Sequence, residues 1–446
     1  MPGPKKLTNK WRHTSTFILA SLAFALIPRA GLAANLLDTY QQALKNDPTF
    51  LAARANYMAE QQKTGEARAV LLPNINASAN ATWNDSTNNL SGQKTYNSNG
   101  YSVSLSQPVF NFGAFAALAQ AHASVRAAAA NFNAAREDLM RRVAEAYFGL
   151  LLAQDNLGLA KSQQAAIAQQ REVAQGRLKV GLGTITEVHD AEARYQLAAA
   201  QVLEAQNGLE DARQALREVA GTVPKEVLSL REDMPLPQPD PPVIGEWVTR
   251  ALDQNYQVIA AREANTIAKR EISKQHAGYY PSLDIVGSYN YSDSYSGFTG
   301  TAFNTRGTSV GLQLSMPIFQ GGLTHKLSKE AAYRYNAARQ NLILARRQVE
   351  RQTRDAFLGI TSGASRVNAL KQAVIASQSA LEAKQTGFEA GINTNLEVLD
   401  AQRDLYQARR DYAQSRYNFV FSLLRLKQAA GTLAESDLKQ INGWLQ

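Results

Sequence analysis

The chain has no cysteine among its 446 residues. Disulfides, thiolate metal sites, cysteine nucleophiles and lipid attachment through an N-terminal cysteine are therefore excluded. It also lacks any run of about 18 uncharged apolar residues, the length that a membrane-spanning helix needs. No two of its five histidines have the spacing of a zinc-binding helix, and neither a glycine-rich phosphate loop nor a Gly-x-Ser-x-Gly elbow occurs. These absences leave no catalytic constellation, so we expect neither an enzyme nor a bound cofactor or metal.

A basic leader without acidic residues begins the chain and carries five of the charges behind its formal net charge of +9. The leader continues into an apolar run from Phe17 to Ile27, followed by small residues at Gly31, Ala33 and Ala34. This order is typical of a secretory signal peptide, which we predict at residues 1–33; a buried core helix is the alternative. Without the leader, the remaining positive charge is too small to indicate nucleic-acid binding.

Two copies of one unit make up most of the remaining sequence. GLGTITEVHD at 181–190 returns as GINTNLEVLD at 391–400, and QPVF at 107–110 returns as MPIF at 316–319. The matching segments stay about 210 residues apart, which indicates an internal duplication. A proline-rich stretch that cannot continue a helix separates the copies. The predicted divisions are a first repeat at 34–222, a connector at 223–243, a second repeat at 244–432 and a C-terminal segment at 433–446.

Each repeat reads as a helix, two strands, a long helix and a further helix. The first helix is predicted from about Leu36 to Val70. Apolar and polar residues then alternate over 75–84 and 101–106, which predicts two strands, and the stretch 85–100 between them is rich in Asn, Ser and Gly, as an exposed loop would be. The second repeat has matching strands, although Val286 breaks the alternation in the first of them.

A helical pattern without internal proline runs from Gly113 to about Val180, and the second repeat has its counterpart. Apolar residues recur at heptad spacing along both helices. They are Leu139, Val143, Ala146, Leu150, Ala153, Leu157 and Ala160 in the first repeat, and Val349, Ala356, Ile360, Gly363, Val367, Leu370 and Val374 in the second. Roughly 65 residues give a rod of about 100 Å, and the two shorter helices of a repeat could stack end to end beside it. Alone, such a seam favours a solid coiled coil.

The strands favour a membrane protein instead. Four amphipathic strands of about ten residues suit a bilayer crossing. Four strands cannot close a barrel, and lipid does not tolerate an open sheet edge, so several chains must pool their strands. Three chains give twelve strands, an even-numbered barrel. The predicted fold class is therefore mainly α with a trimeric, twelve-stranded membrane β-barrel.

The duplicated plan, the two Pro-Val/Ile-Phe strand exits and the paired segments VGLGTITEVHDA and AGINTNLEVLDA resemble the TolC family of outer-membrane efflux and type I secretion channels. The resemblance covers the chain after the leader. It implies a homotrimer in the Gram-negative outer membrane, with a twelve-helix periplasmic tunnel and a belt formed by the connector and the C-terminal segment. The implied partners are outer-membrane lipid, a periplasmic adaptor (membrane fusion) protein and an inner-membrane pump of RND, MFS or ABC type. The implied cargo is small toxic molecules, proteins or both.

The same resemblance assigns roles to residues at the periplasmic end. It places Thr186, Glu187, Phe388 and Asn393 at positions that link neighbouring helices in the closed state. Glu397 and Asp400 match an acidic ring around the entrance, and the turns at Gly181, Gly183 and Gly391 would face the adaptor. Phe388 stands where the best-known members have tyrosine, and Asn393 where they have arginine. Closure is therefore either weaker here or held by other contacts.

Local helix chemistry offers a second interpretation of these acids. Glu187 and Glu397 each follow a threonine by three residues, which is the pattern of a capping box. Asp400 lies one turn further, where the helix dipole also favours an acid, so entrance lining and the dipole account for it about equally well. The alternative function is a secreted, self-assembling filament with coiled-coil helices. A filament, however, would not need four strands of lipid-crossing length or a cleaved leader.

Overall fold

The computed structural model describes residues 35–89, 92–224, 226–295 and 301–446, so the predicted signal peptide lies outside the described residues. The first repeat contains α1 (Leu36–Asn46), α2 (Pro48–Ala69), β1 (Asn74–Asn88), β2 (Gly92–Phe110), α3 (Phe112–Lys179) and α4 (Ile185–Ala220). The second contains α5 (Ile244–Gln254), α6 (Tyr256–His276), β3 (Ser282–Tyr295), β4 (Ala302–Ser315), α7 (Leu323–Glu389) and α8 (Asn395–Ala429). A short helix, α9 (Glu435–Asn442), follows.

The first helix of each repeat is broken in two, so the single helix expected over 36–70 is wrong. Asp47 caps α2, with its carboxylate accepting a hydrogen bond from the Phe50 N–H at 2.6 Å, and Pro48 occupies the first turn. Proline has no N–H for a helix interior but suits a helix start, so α1 ends and α2 begins here. Asn255 caps α6 in the same way.

The four strands form one antiparallel sheet in the order β1-β2-β3-β4. β1 and β2 pair from Asn74 and Ser106 to Asn88 and Gly92, so most of the stretch 85–100, expected as a loop, is strand. Polar cross-strand contacts support this extension, since Gln93 donates to both carboxylate oxygens of Asp85 at 3.0 Å. A polar composition indicates exposure to water, and it does not exclude pairing. Val286 also stays in register between β2 and β4.

The two edge strands, β1 and β4, each leave one side without a strand partner among the described residues. Both expose apolar side chains in a single protomer, including Ile75 and Trp83 on β1 and Val310, Leu312 and Leu314 on β4. The three β4 residues alternate along the strand, so they share one face of the sheet. The sheet therefore has an exposed apolar face and two open edges.

The long helices match the expected rods, with 68 residues in α3 and 67 in α7. α2 and α4 stack end to end along α3, while α6 and α8 pack against both α3 and α7. The apolar heptad residues lie on the packed faces; Leu150, for example, is buried with Leu209 and Leu216 of α4. None of the described helices contains a stretch long and apolar enough to cross a membrane.

A belt of irregular chain and the short helix α9 crosses the long helices near the middle of α3. It consists of residues 226–236 and 433–446, which meet as antiparallel segments at Leu230 and Leu445. The Arg231 N–H donates to the Trp444 carbonyl at 3.0 Å. The belt shares the largest apolar core with α1, α3 and α8, so it fixes the two repeats to each other at this level.

Candidate functional site at the hairpin tips

The long helices end in tight turns that create two helical hairpins. Hairpin 1 is α3 and α4 with its turn at 180–184, and hairpin 2 is α7 and α8 with its turn at 390–394. Gly181 and Gly391 both have φ of +75°, the left-handed conformation that glycine adopts without strain. In hairpin 1 the Leu182 N–H donates to the Arg177 carbonyl at 2.8 Å, and hairpin 2 repeats this bond from Ile392 to Gly387 at 2.7 Å. Both turns are Schellman motifs.

At Gly183, the third predicted tip glycine, the turn leaves little room for a side chain. A Cβ at this position would lie 3.1 Å from both the Arg177 Cβ and a Glu187 carboxylate oxygen. A larger residue would therefore push against the turn and against the acid that caps the next helix.

The two tip glutamates cap their own helices. Thr184 accepts a hydrogen bond from the Glu187 N–H at 3.2 Å, and the Glu187 carboxylate accepts one from the Thr184 N–H at 3.2 Å. Thr394 and Glu397 make the same reciprocal pair at 3.3 and 3.1 Å. Both capping boxes predicted from the sequence are therefore present, and they fix where α4 and α8 begin.

Glu397 has further partners inside hairpin 2. The Asn393 amide donates to its carboxylate at 2.6 Å, and the Lys384 ammonium lies 3.6 Å away. The hydrogen bond from Asn393, followed by that from the Thr394 backbone, lowers the pKa of Glu397. Asn393 thus serves the acid of its own hairpin, and no hydrogen bond joins it to Glu187 among the described residues of one protomer.

Asp400 connects the two hairpins. Its carboxylate lies 2.9 Å from the Arg194 guanidinium of α4 and 3.4 Å from the Arg403 guanidinium one turn along α8. The first ion pair crosses from hairpin 2 to hairpin 1, whereas the second stays within one helix. Asp400 is thus a paired carboxylate in the protomer. Neither the entrance-lining nor the helix-dipole interpretation of the sequence included this pairing.

Phe388 makes a second connection between the hairpins. Its ring is buried in the apolar core of hairpin 2 with Leu381, Val398 and Leu405. The Arg177 guanidinium at the end of α3 lies over this ring, 4.9 Å from its centroid. Sequence reasoning missed Arg177 and Arg194, because neither belongs to a motif and their partners are about 200 residues away in the chain.

The remaining tip residues face outward. Thr186 is exposed in the first turn of α4, and among the described residues its side chain has no hydrogen-bond partner. Around the turns, large apolar side chains are also exposed, with Leu182 at 70% and Ile392 at 81% of full exposure. We call this surface the apolar tip; it consists of Val180, Leu182, Ile185, Ile392 and Leu396. Exposed apolar patches of this kind are typical of protein-binding surfaces.

Comparison with known proteins gives consistent matches over nearly the whole chain. The model of the outer membrane efflux protein family matches residues 39–222 and 247–432. Outer membrane protein TolC of Vibrio cholerae is 34% identical over 433 residues, covering 96% of this chain and 98% of the relative. Alkaline protease secretion protein AprF of Pseudomonas aeruginosa is 31% identical, covering 94% and 89%.

Solved structures show the same fold at lower identity. The outer membrane protein VceC of Vibrio cholerae superposes with a TM-score of 0.75 at 21% identity, covering 89% of this chain and 96% of that one. The CmeC outer membrane channel of Campylobacter jejuni gives 0.77 at 17% identity, covering 98% of both chains. The single sheet continued by long helical hairpins is therefore the architecture of outer-membrane channels.

Proposed function

The chain belongs to the outer membrane efflux protein family, and from that premise we propose that three copies form a passive export duct gated at the hairpin tips. Membership confirms the resemblance seen in the sequence. The protein is an outer-membrane channel for efflux or secretion that extends into the periplasm. The filament alternative finds no support among the relatives.

The open edges of the sheet support the assembly of several copies. The sheet of a single protomer has two open edges and an exposed apolar face. In lipid an unpaired edge would leave backbone groups without hydrogen bonds, so β4 of one copy must pair with β1 of the next. Three copies give twelve strands, and the paired helices below them continue the wall as a tunnel. A duct of this form needs no catalytic residues of its own.

The proposed partners are a periplasmic adaptor and an inner-membrane pump. Relatives include proteins named for protease secretion, such as AprF and PrtF, and for cobalt, zinc and cadmium resistance, such as CzcC. We therefore propose export of proteins, small toxic compounds or both, energised by a pump of RND, MFS or ABC type. The apolar tip, with Gly181, Gly183 and Gly391 in its turns, supports docking of the adaptor at this end.

The tip acids form the proposed entrance. In a trimer, Glu397 and Asp400 would place six carboxylates around one narrow opening, where they attract cations. Replacing both with alanine is expected to weaken the block of single-channel current by multivalent cations added from the periplasmic side. Unchanged block in a folded trimer would mean that these acids act through helix capping and ion pairing alone. Thr186, Glu187, Phe388 and Asn393 remain the proposed link positions of the closed state.

The function itself is tested in membranes. The mature protein should be recovered in the outer-membrane fraction, run as a trimer before heating and as a monomer after it, and form conducting pores in planar bilayers. Its deletion should sensitise cells to exported compounds or abolish secretion of a cargo protein. Recovery as a soluble periplasmic monomer would contradict the proposal.

A further inference from the structure

The sheet has one polar and one apolar face. On the polar face, serine hydroxyls contact each other across strands, Ser78 with Ser102 at 2.8 Å and Ser288 with Ser309 at 2.9 Å. The strand register places a set of apolar side chains on the opposite face, namely Ile75, Ala77, Val103, Leu105, Val310, Leu312 and Leu314. In the proposed barrel, the polar face therefore lines the duct and the apolar face contacts lipid.

One arginine lies on this lipid-facing side of the sheet. The register pairs Tyr101 of β2 with Tyr291 of β3, and Tyr291 with Arg306 of β4, so the three side chains form one row across the apolar face. Beyond this row, at the end of the sheet away from the helices, the same face becomes polar. Its next row consists of Asn99, Asp293 and Asn304. The row with Arg306 is thus the last one of the apolar face.

The position of Arg306 along its strand places it near the outer surface of the membrane. It lies eight residues from Leu314, which is next to the strand end that leads into the helices. Eight residues extend about 27 Å along a strand, or about 20 Å across the membrane at the usual tilt of barrel strands. The apolar band of such barrels is about 25 Å tall. Because the helices extend into the periplasm, Arg306 lies at the extracellular margin of this band.

Aromatic rings hold the arginine in place. The guanidinium carbon of Arg306 lies 5.5 Å from the centroid of the Tyr291 ring. That ring stacks on Tyr101 with centroids 5.0 Å apart, and Tyr289 approaches Tyr101 at 6.1 Å. Among the described residues Arg306 forms no ion pair, although Asp293 lies in the neighbouring row. A guanidinium that stacks on a ring by its face keeps the N–H groups at its edge available to an anion.

We propose that Arg306, supported by Tyr291 and Tyr101, binds a phosphate group of the anionic glycolipid in the outer leaflet. An arginine on the lipid face is strongly destabilising at the bilayer midplane but is tolerated at the interface, where this row lies. Guanidinium groups bind phosphate through two parallel hydrogen bonds, which matches the exposed edge of Arg306. The extracellular margin selects the glycolipid over the phospholipids of the periplasmic leaflet. This inference rests on the proposed function, since only the closed barrel gives the sheet a lipid-facing side.

The test counts lipids bound to the purified, detergent-solubilised trimer by native mass spectrometry, with lipid A as the probe. The wild type is expected to bind close to three molecules at saturation, one for each copy of the site. Arg306→Gln should weaken binding about tenfold, the lower end of what a hydrogen bond to a charged group contributes. Arg339→Gln removes the same charge from an exposed position on α7 and should bind lipid A as the wild type does.

Two further positions of substitution examine the geometry of the site. Arg306→Lys keeps the charge without the planar, forked donor group and should bind with intermediate affinity. Tyr291→Phe keeps the ring under the guanidinium and should retain binding, whereas Tyr291→Ala should weaken it. Loss of binding in Tyr291→Phe equal to that in Tyr291→Ala would contradict a supporting role for the ring.

The remaining outcomes are read on variants that still run as heat-modifiable trimers. Equal losses in Arg306→Gln and Arg339→Gln would show unspecific attraction to positive charge and overturn the site. Unchanged binding in Arg306→Gln would mean that Arg306 contacts water only, which overturns the site and leaves the export duct standing. Phosphatidylglycerol that binds as tightly as lipid A, and equally through Arg306, would overturn the assignment to the glycolipid. A wild-type protein that forms neither trimers nor pores would instead remove the proposed function, and the site with it.

Discussion

Glu137 of α3 is a buried carboxyl group with no basic partner among the described residues. The Leu433 backbone N–H is its hydrogen-bond donor, and its Oε1 has no partner within the described chain. Burial raises the pKa of Glu137 to about 8, so this carboxyl is protonated near neutral pH. It lies where α3 meets the C-terminal part of the belt, and its protonation state therefore affects how firmly the belt is attached.

The raised pKa predicts how stability depends on pH. An unfolded glutamate titrates near a pKa of about 4.3, so between roughly pH 5 and 8 the folded protein binds more protons than the unfolded chain. Stability should therefore fall as pH rises through this window. Glu137→Gln mimics the protonated form and should raise Tm by several degrees near pH 9, with the difference from wild type closing at about pH 5.

Thermal unfolding of the detergent-solubilised protein across this pH range measures the effect. Glu172→Gln, at an exposed position on the same helix, is the control and should leave the pH profile of Tm unchanged. A Glu137→Gln profile parallel to that of the wild type would mean that the carboxylate is stabilised by contacts outside the protomer.

Asn393 predicts a second pH effect, at the entrance. Its hydrogen bond is the largest influence that lowers the pKa of Glu397, so Asn393→Ala should raise that pKa. The entrance carboxylate would then lose its charge at a higher pH. In planar bilayers, the pH midpoint for block by a multivalent cation from the periplasmic side should move upward. Glu397→Gln should remove this titration, and a midpoint unaffected by Asn393→Ala would exclude Glu397 from the cation-binding entrance.

At the scale of helices and strands, periodic patterns predicted the elements that bury one face. The heptad residues from Leu139 to Ala160 do lie along the packed side of α3, because burial repeats along a helix with the same period as the sequence. Prediction failed where one residue decides the outcome: Asp47 and Pro48 break the first helix. It failed again in the polar hairpin of β1 and β2, where pairing of main chains leaves no apolar alternation to detect.

At the hairpin tips, too, local motifs were predictable from the sequence and contacts between distant helices were not. Both capping boxes are local, so spacing alone revealed them. The contacts of Asp400 and Phe388 with hairpin 1 depend on how two distant helices pack, and no spacing within either repeat encodes them. Motifs therefore located the site, whereas only packing identified the arginines that contact its acid and its aromatic ring.

The buried face of α8 predicts an effect on stability. Gln402→Met keeps an unbranched side chain of similar length and removes a buried amide oxygen that has no hydrogen-bond partner among the described residues. The folded protein should gain about 1 kcal/mol per protomer, with a higher Tm. Gln201→Met, on an exposed position of α4, is the control and should leave Tm unchanged. A lower Tm with Gln402→Met would indicate that Gln402 has partners in the assembled trimer.

At the scale of the whole molecule, the helices that adjoin the two open edge strands also have exposed apolar and aromatic side chains. Met58 of α2 and Tyr333 of α7 are 49% and 64% exposed in the protomer. β1 follows α2 and β4 precedes α7, and these two strand ends lie on the same side of the sheet. Each residue lies about ten helical residues, or about 15 Å, from the end of its helix nearest the sheet. If β4 pairs with β1 of the next copy, we expect Tyr333 to approach the next copy's Met58.

Cysteine crosslinking tests this arrangement without background, because the chain has no cysteine of its own. In the double variant Met58→Cys with Tyr333→Cys, a short bifunctional maleimide should join each copy to the next, and heated samples should then run as a covalent trimer. Each single variant should stay monomeric after heating. Leu51→Cys with Tyr333→Cys lowers one partner by about 10 Å and should crosslink far less, which separates a defined register from random collision. Products that stop at two chains, or continue past three, would contradict closure into twelve strands, since closed symmetry fixes the number of copies once the edges have paired.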